Sequence, residues 1–252
     1  MNGQSGSGHP SYWEYHLRQY EVMYRSTDSF IKFITQHLDA MSKATVLDAG
    51  CGGGANIFWF KKHFLNFTFT GLDLDNDALT VARQKQPDTA FLYGDYLQSD
   101  RLFGPEAFDY LFAVQFVAFV PFDLTEFVEN AVKIATKGIF LTSLFSESDL
   151  EQHTTARDLA ESWEGIYKIY SIPRLKRLLN GIGKPYRLIC EPFEIDIDLP
   201  KPEPFRFGTY TMKGETGETL QISGYMLMPW YNIFVDLRGE DRKCSVAGAR
   251  RP

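Results

Sequence analysis

From Trp13 the apolar positions recur on a helical period, with Leu17, Tyr20 and Tyr24 on one face. Ser26, Thr27 and Asp28 then break that face and predict the cap of a second helix, whose apolar side is Phe30, Ile31, Phe33, Ile34 and Leu38. Beyond Thr45 the rhythm changes. Short apolar runs alternate with amphipathic segments: strand Thr45–Asp48, helix Asn56–Phe64, strand Thr68–Leu72 and helix Asn76–Lys85 closed by Pro87. Strands Ala90–Tyr93 and Asp109–Gln115, helix Leu124–Ala135 and strand Ile139–Phe145 follow. Strands separated by helices imply right-handed crossovers and a parallel sheet covered on both faces. The expected fold class is α/β, a doubly wound, mostly parallel seven-stranded sheet with an N-terminal helical cap.

After Phe145 the alternation stops. Residues 147–170 read as an insertion, and Ser171 is expected to cap a helix, IPRLKRLLNG, ending at Gly181. YRLICEPFEIDIDL reads as a strand, GTYTMK and LQISGY flank the turn-forming GETGET as a hairpin, and WYNIFVDL reads as the last strand. The alternative makes GTYTMK itself the last strand of the sheet. With no Pro/Gly/Ser-rich linker, 1–252 is taken as a single domain: helical cap 1–40, core 45–145, insertion and helix 147–183, final strands with a β-hairpin insertion 186–238, and a polar, frayed tail 239–252.

Composition narrows the function classes. The chain is 44% hydrophobic and 15% aromatic, enough for a large core, and its formal charge of −6 argues against a partner that is mainly a phosphate backbone. Cys51, Cys190 and Cys244 lie far apart, with neither CxxC spacing nor a nearby His cluster, so no disulfide framework and no metal site are expected. The opening MNGQSGSGHP lacks an export leader's basic and apolar regions, and the longest apolar run, Tyr110 to Phe122, is interrupted by Gln115 and too short to span a bilayer. A cytoplasmic protein without membrane or nucleic-acid partners is expected.

The candidate chemistry lies at VLDAGCGGGA, residues 46–55. Gly50, Gly52, Gly53 and Gly54 follow the first strand directly. In an open parallel sheet, ligands bind beyond the carboxyl ends of the strands, and glycines there let a ligand lie against bare main chain. Gly50, Gly52 and Ala55 satisfy the dinucleotide pattern G-x-G-x-x-G/A, with Asp73 near the position of a ribose-binding acid. An NAD(P)-dependent oxidoreductase is therefore one reading. Asp48, Gly50 and Gly52 equally satisfy D-x-G-x-G, with Gly54 extending it.

On that second pattern the sequence resembles the class I S-adenosylmethionine-dependent methyltransferases of small-molecule type, well over Thr45 to Phe145 and loosely at the ends. VLDAGCGGG resembles the family's first motif, TGLDLD the second, GDYL the third and FDYLFAVQFVAFV the fourth strand. The resemblance implies a Rossmann-like fold, S-adenosyl-L-methionine as cofactor and S-adenosyl-L-homocysteine as product. It implies a glycine loop, Asp48 to Gly52 with Cys51, under the cofactor, and Asp73 beside Leu74 accepting from both ribose hydroxyls. Asp95 would face the adenine amino group, Tyr96 would offer its main-chain amide or ring, and Gln115 would fall near the methionine end. The chain departs from the family where ATKGIF stands in place of a Pro-Gly-Gly turn.

Other roles stand beside these. Asp48 could simply bond loop amides; Asp73 could belong to the cap of the helix from Asn76, though Asp75 already fills that place; Asp95 could be ordinary turn chemistry. The aromatic face of the first helix is either core or cap over a sulfonium cation, which keeps Tyr15 and Tyr24 as candidates. Methyl transfer from a sulfonium needs alignment and desolvation more than a particular side chain, so the catalytic residue stays unassigned. His153 and Glu164, in the insertion, are the candidate bases. The aromatic and methionine-rich ESWEGIYKIYSIP and GYMLMPWY suit an apolar pocket for a small-molecule acceptor. A non-catalytic partner that keeps the cofactor fold as an interaction surface is the third possibility.

Overall fold

The computed structural model describes residues 12–158, 163–193, 209–213, 219–223, 230–238 and 245–246. Helices α1 (Tyr12–Glu21) and α2 (Arg25–His37) precede β1 (Ala44–Ala49), α3 (Ala55–His63), β2 (Phe67–Asp73), α4 (Asn76–Lys85) and β3 (Ala90–Tyr93). Then come α5 (Ser99–Phe103), β4 (Phe108–Val114), α6 (Leu124–Ile134) and β5 (Ala135–Ser146). The chain continues through β6 (Gln152–Asp158), β7 (Trp163–Ser171), α7 (Ile172–Ile182) and β8 (Arg187–Phe193). It ends with β9 (Thr209–Lys213), β10 (Thr219–Ser223), β11 (Trp230–Asp236) and β12 (Ser245–Val246).

The main sheet runs β12-β8-β11-β5-β4-β1-β2-β3. Seven of these strands are the expected ones, and β11 is antiparallel to both β5 and β8 because it returns between them. Three strands exceed the expectation. Within the region expected to fray, Ser245 and Val246 pair in parallel with Ile189 and Cys190. The 147–170 insertion is itself a hairpin of β6 and β7, joined to the sheet where Phe145 and Ser146 of β5 meet Tyr170 and Ser171. The GTYTMK segment is not in the main sheet: β9 pairs with β10 alone, as the hairpin reading has it.

Alternation on the central strand divides the core. Tyr110, Phe112 and Val114 of β4 pack with Phe30, Phe60, Phe140 and Phe234 under α2 and α3. Leu111 and Ala113 point the other way, onto Phe127, Val128 and Leu175 of α6 and α7. Both faces are therefore apolar, as a doubly covered sheet demands. Phe112 is fully buried and edges onto Phe30, Phe60 and Phe140; truncating such a side chain to alanine costs about 3–5 kcal/mol.

Local chemistry sets the helix ends, with two corrections to the sequence expectations. Asp75 caps α4 by accepting from Asp77 N and Ala78 N, and Ser171 caps α7 by accepting from Arg174 N. Ser26–Asp28 do not cap α2: Tyr24 holds the cap position without a side-chain bond, and Ser26 and Thr27 are buried inside the helix. There Thr27 Oγ1 donates to Asn56 Oδ1, so tertiary contact has taken the polar groups that would otherwise end a helix. Likewise α7 continues past Gly181 to Ile182 and closes on Gly183.

Helix α1 is the element that reaches the glycine loop. Tyr20 is buried between α3 and α4, its hydroxyl donating to Gly53 O at 2.6 Å. Gln86 Nε2 donates to Gly54 O and to the same hydroxyl, and Trp59 Nε1 donates to Gln19 O. Of the aromatic face read from the sequence, Tyr20 is core, while Trp13 and Tyr15 remain exposed.

Candidate active site

The site is built where β1, β2, β3 and β4 end together. As β1 ends, the amides of Gly50 and Cys51 turn across to donate to Leu72 O of β2, at 2.9 and 3.2 Å. Gly50 takes φ +71°, a conformation that costs an L-residue about 1–2 kcal/mol, and a methyl group added there would lie 2.7 Å from Cγ of Phe116. Phe116 follows β4, so the glycine lets the rim of one strand close over the loop of another.

Three aspartates define the polarity of the place. Asp73 is not a free carboxylate: Oδ2 accepts from Gly52 N at 2.7 Å and Oδ1 from Asp75 N at 2.9 Å, tying the end of β2 to the glycine loop. Asp95 accepts from Leu97 N and caps the 3₁₀ turn 96–98. Asp48 does not bond loop amides. It is 1% exposed and neither carboxylate oxygen has a hydrogen-bond partner, so burial, reinforced by the charge of Asp73, pushes its pKa up to about 8. His16 of α1 is buried near the loop; burial lowers its pKa and the Asp73 charge opposes that shift.

Beside the loop lies a cavity of about 270 Å³ lined by Gly50, Leu72, Asp73, Leu74, Gly94, Asp95, Tyr96, Leu97, Phe116, Val120, Pro121 and Phe122. One side is carboxylate and bare backbone, the other apolar and aromatic. Five sequence candidates line it: Gly50, Asp73, Leu74, Asp95 and Tyr96. The ring of Tyr96 is withdrawn from any ligand, stacked on Phe122 and Phe127 with its hydroxyl donating to Phe127 O, so only its main chain remains on offer.

Two further candidates, Tyr24 and Gln115, line a second cavity of about 40 Å³ with Gln19, Ser26, Thr27, Ala55, Asn56 and Trp59. Gln115 holds φ +54°, its amide fixed on Thr142 O at 2.9 Å, an outlier of the kind that collects at functional sites. Asp48 and Cys51 are buried, Cys51 with its thiol pKa pushed well up by that burial. Gly52 is held by Asp73, whereas Tyr15 is exposed and lines neither cavity.

Of the candidate bases, His153 does not join them. His153 is exposed on β6, edge-on to the Tyr170 ring and outside the lining of either cavity, and Glu164 stands on β7 in register with Arg157. The residues that sequence reasoning missed are the apolar wall, Leu97, Phe116, Val120, Pro121 and Phe122. Apart from Leu97, their signal was the run FVAFVPF, which reads as strand and core until the turn after Val114 sends it across the mouth of the site. Among the described residues no His/Cys/Asp/Glu group holds metal geometry, and no helix is long and apolar enough to cross a membrane.

Comparison with known proteins bears on this geometry. Residues 46–138 match the family model of a methyltransferase domain, the span from β1 to the start of β5 that carries the glycine loop. Over residues 46–138 the chain carries a methyltransferase domain. A curated relative, trans-aconitate 2-methyltransferase of Afipia carboxidovorans, is 26% identical over 116 residues, 46% of this chain. The aligned part is 44% of that protein, so the chain here matches less than half the relative's length. Among solved structures, magnesium protoporphyrin IX methyltransferase of Synechocystis PCC 6803, with S-adenosylmethionine bound, aligns over 92% of this chain and 86% of its own at 13% identity and TM-score 0.51. The PH0226 protein of Pyrococcus horikoshii OT3 aligns over 87% and 93% at 14% identity and TM-score 0.52. At such identities these neighbours show that the methyltransferase domain has their fold.

Proposed function

We propose that the protein is an S-adenosylmethionine-dependent methyltransferase acting on a small-molecule acceptor. The observation that carries the reading is the cavity in which Asp73, bonded to the glycine loop, and Asp95 face an apolar wall of Phe116, Val120 and Phe122. That donor set fits an adenosyl group. Asp73 would accept from the ribose hydroxyls, Asp95 from the adenine amino group, and the wall would cover the purine. Gly50, Gly52 and Leu74 would border it with main chain and an apolar side chain. Tyr24 and Gln115, in the smaller cavity across the loop, would flank the methionine end, with the orphaned Asp48 as a buried acceptor for positive charge below.

When bound, the cofactor supplies a methyl group on a sulfonium sulfur. The chain's own part is to hold that sulfur in line with the acceptor and to exclude water, which its closed glycine loop and aromatic wall are suited to do. Support for a small acceptor is that the trans-aconitate and magnesium protoporphyrin methyltransferases to which the chain is similar are named for small molecules, and that among the described residues none lining either cavity is basic. No side chain beside the cavities is offered as a base.

Binding tests the proposal directly. S-adenosylhomocysteine at 100 times its Kd adds about 2.7 kcal/mol, which should raise Tm by roughly 5–10 °C in a chain of this size. Stabilisation by NAD and none by S-adenosylhomocysteine would install the oxidoreductase instead. Tight cofactor binding without labelled methyl transfer to any extract component would favour the non-catalytic partner.

A further inference from the structure

Lysine 168 is buried where a lysine is costly. It lies on β7, 6% exposed, opposite His153 in the hairpin register. Its ammonium donates to Val120 O at 2.8 Å and Phe122 O at 2.7 Å. Both carbonyls belong to the apolar wall of the larger cavity, on either side of Pro121, which also lines it. Asp123 and Glu126 provide the nearby negative charge that opposes the effect of burial on Lys168.

The wall has little else of its own. Among the described residues no backbone–backbone hydrogen bond ties 120–122, and Pro121 has no N–H to give. Phe122 leans on Tyr96 and Phe116 by ring contact, and the Tyr170 hydroxyl reaches Phe122 O at 3.5 Å. Two charge-assisted bonds from one rigid strand are therefore the strongest polar hold on this segment. The strand that provides them belongs to a hairpin none of whose described residues lines the cavity. That hairpin is anchored independently, through Tyr170 and Ser171 against β5 and through Glu151, which accepts from Ser171 N and from Arg174.

Building on the methyltransferase reading, we propose that Lys168 is a positioning residue for the donor pocket. It fixes the wall at Val120–Phe122 from behind, so the β6–β7 hairpin sets affinity for the adenosyl group without touching it. The effect falls on the adenosine half of the ligand, because that half meets the wall.

The test is calorimetric titration of the full chain and of K168M, K168Q and K168R with S-adenosylhomocysteine and with adenosine, alongside ligand-free Tm. K168M and K168Q should bind both ligands at least tenfold more weakly, by similar factors. K168R, whose guanidinium can donate to both carbonyls, should stay within about threefold of the parent. Lowered Tm with unchanged affinity in K168M or K168Q would reduce Lys168 to a packing role and overturn the proposal, as would a loss in K168R as deep as in K168Q. Should K168M fail to fold, K168R against K168Q carries the same comparison. Failure of the parent chain itself to bind S-adenosylhomocysteine removes the donor reading and this inference with it, a result distinct from intact parent binding with unaffected variants.

Discussion

Gly50→Ala separates two costs that a glycine loop normally confounds. At φ +71° an added β-carbon strains the backbone by about 1–2 kcal/mol. It also meets the Phe116 ring, 2.7 Å from Cγ and 2.8 Å from Cε2, so the ring must leave. Phe116 packs edge-on to Tyr96 and Phe122, each with centroids 5.7 Å away, and losing two such contacts removes roughly 1–3 kcal/mol more. The expected total is about 2–5 kcal/mol, or roughly 4–20 °C in Tm. Gly183→Ala is the control: its φ is +77° and nothing lies within 4 Å of the added atom, so only the backbone strain of about 1–2 kcal/mol applies. Urea unfolding of both variants, and of Gly50→Ala combined with Phe116→Leu, measures the difference. The smaller leucine should recover part of the loss as a coupling energy, since the two sites touch. Equal destabilisation by the two glycine variants, with no coupling to Phe116, would show that the ring does not close over the loop.

Two further outcomes follow from buried charge. Asp48 has a folded pKa near 8 against 3.8 unfolded, so the folded state binds the extra proton between those values and stability falls as pH rises from about 4 to about 8, on the order of 1 kcal/mol per unit. Asp48→Asn should flatten that slope, and pH-parallel unfolding curves for parent and variant would refute the unpartnered carboxyl. Asp123 behaves oppositely: burial alone would raise its carboxyl, but bonds from Arg174 and Thr125 outweigh that and hold it down to about 2. Its contribution is present above pH 4 and lost as pH falls toward 2, so Arg174→Ala should cost about 1–2 kcal/mol at neutral pH and converge with the parent in acid; a gap that persists at pH 2 would assign the loss to packing.

What could be read from the sequence and what could not divides along contact distance in the chain. The strands and long helices from β1 through α6 follow from local periodicity and lie within a residue or so of their expected places; the short α5 was not expected, and β5 begins earlier than expected, at Ala135. Asp75, Ser171 and the loop's glycines carry signals within four residues of the structure they determine. Thr27 misled because its partner, Asn56, is 29 positions away. The apolar wall was missed for the same reason: Phe116 is read as strand until its partner Gly50 is known, and Lys168 gives no sign in sequence that its ammonium seeks Val120 and Phe122, 48 and 46 residues earlier. The hairpin of 152–171 had no turn signal strong enough to outweigh its aromatic content.

Charge decides between the two ligand classes that one glycine loop can serve. A dinucleotide would bring a pyrophosphate to the amides after β1, where the start of α3 favours an anion. Here the same loop covers Asp48 and is bonded by Asp73, and among the described residues none lining either cavity is basic. A carboxyl with no partner beneath the loop gains when positive charge arrives above it, since an opposite charge lowers its pKa and returns the free energy that burial withholds. A pyrophosphate would instead raise that pKa further and leave Asp73 facing like charge. The arrangement therefore favours a ligand with hydroxyl and amine donors at one end and cationic groups at the other. Among ligands with an adenosine half, a sulfonium amino acid conjugate has those properties and a nicotinamide dinucleotide does not.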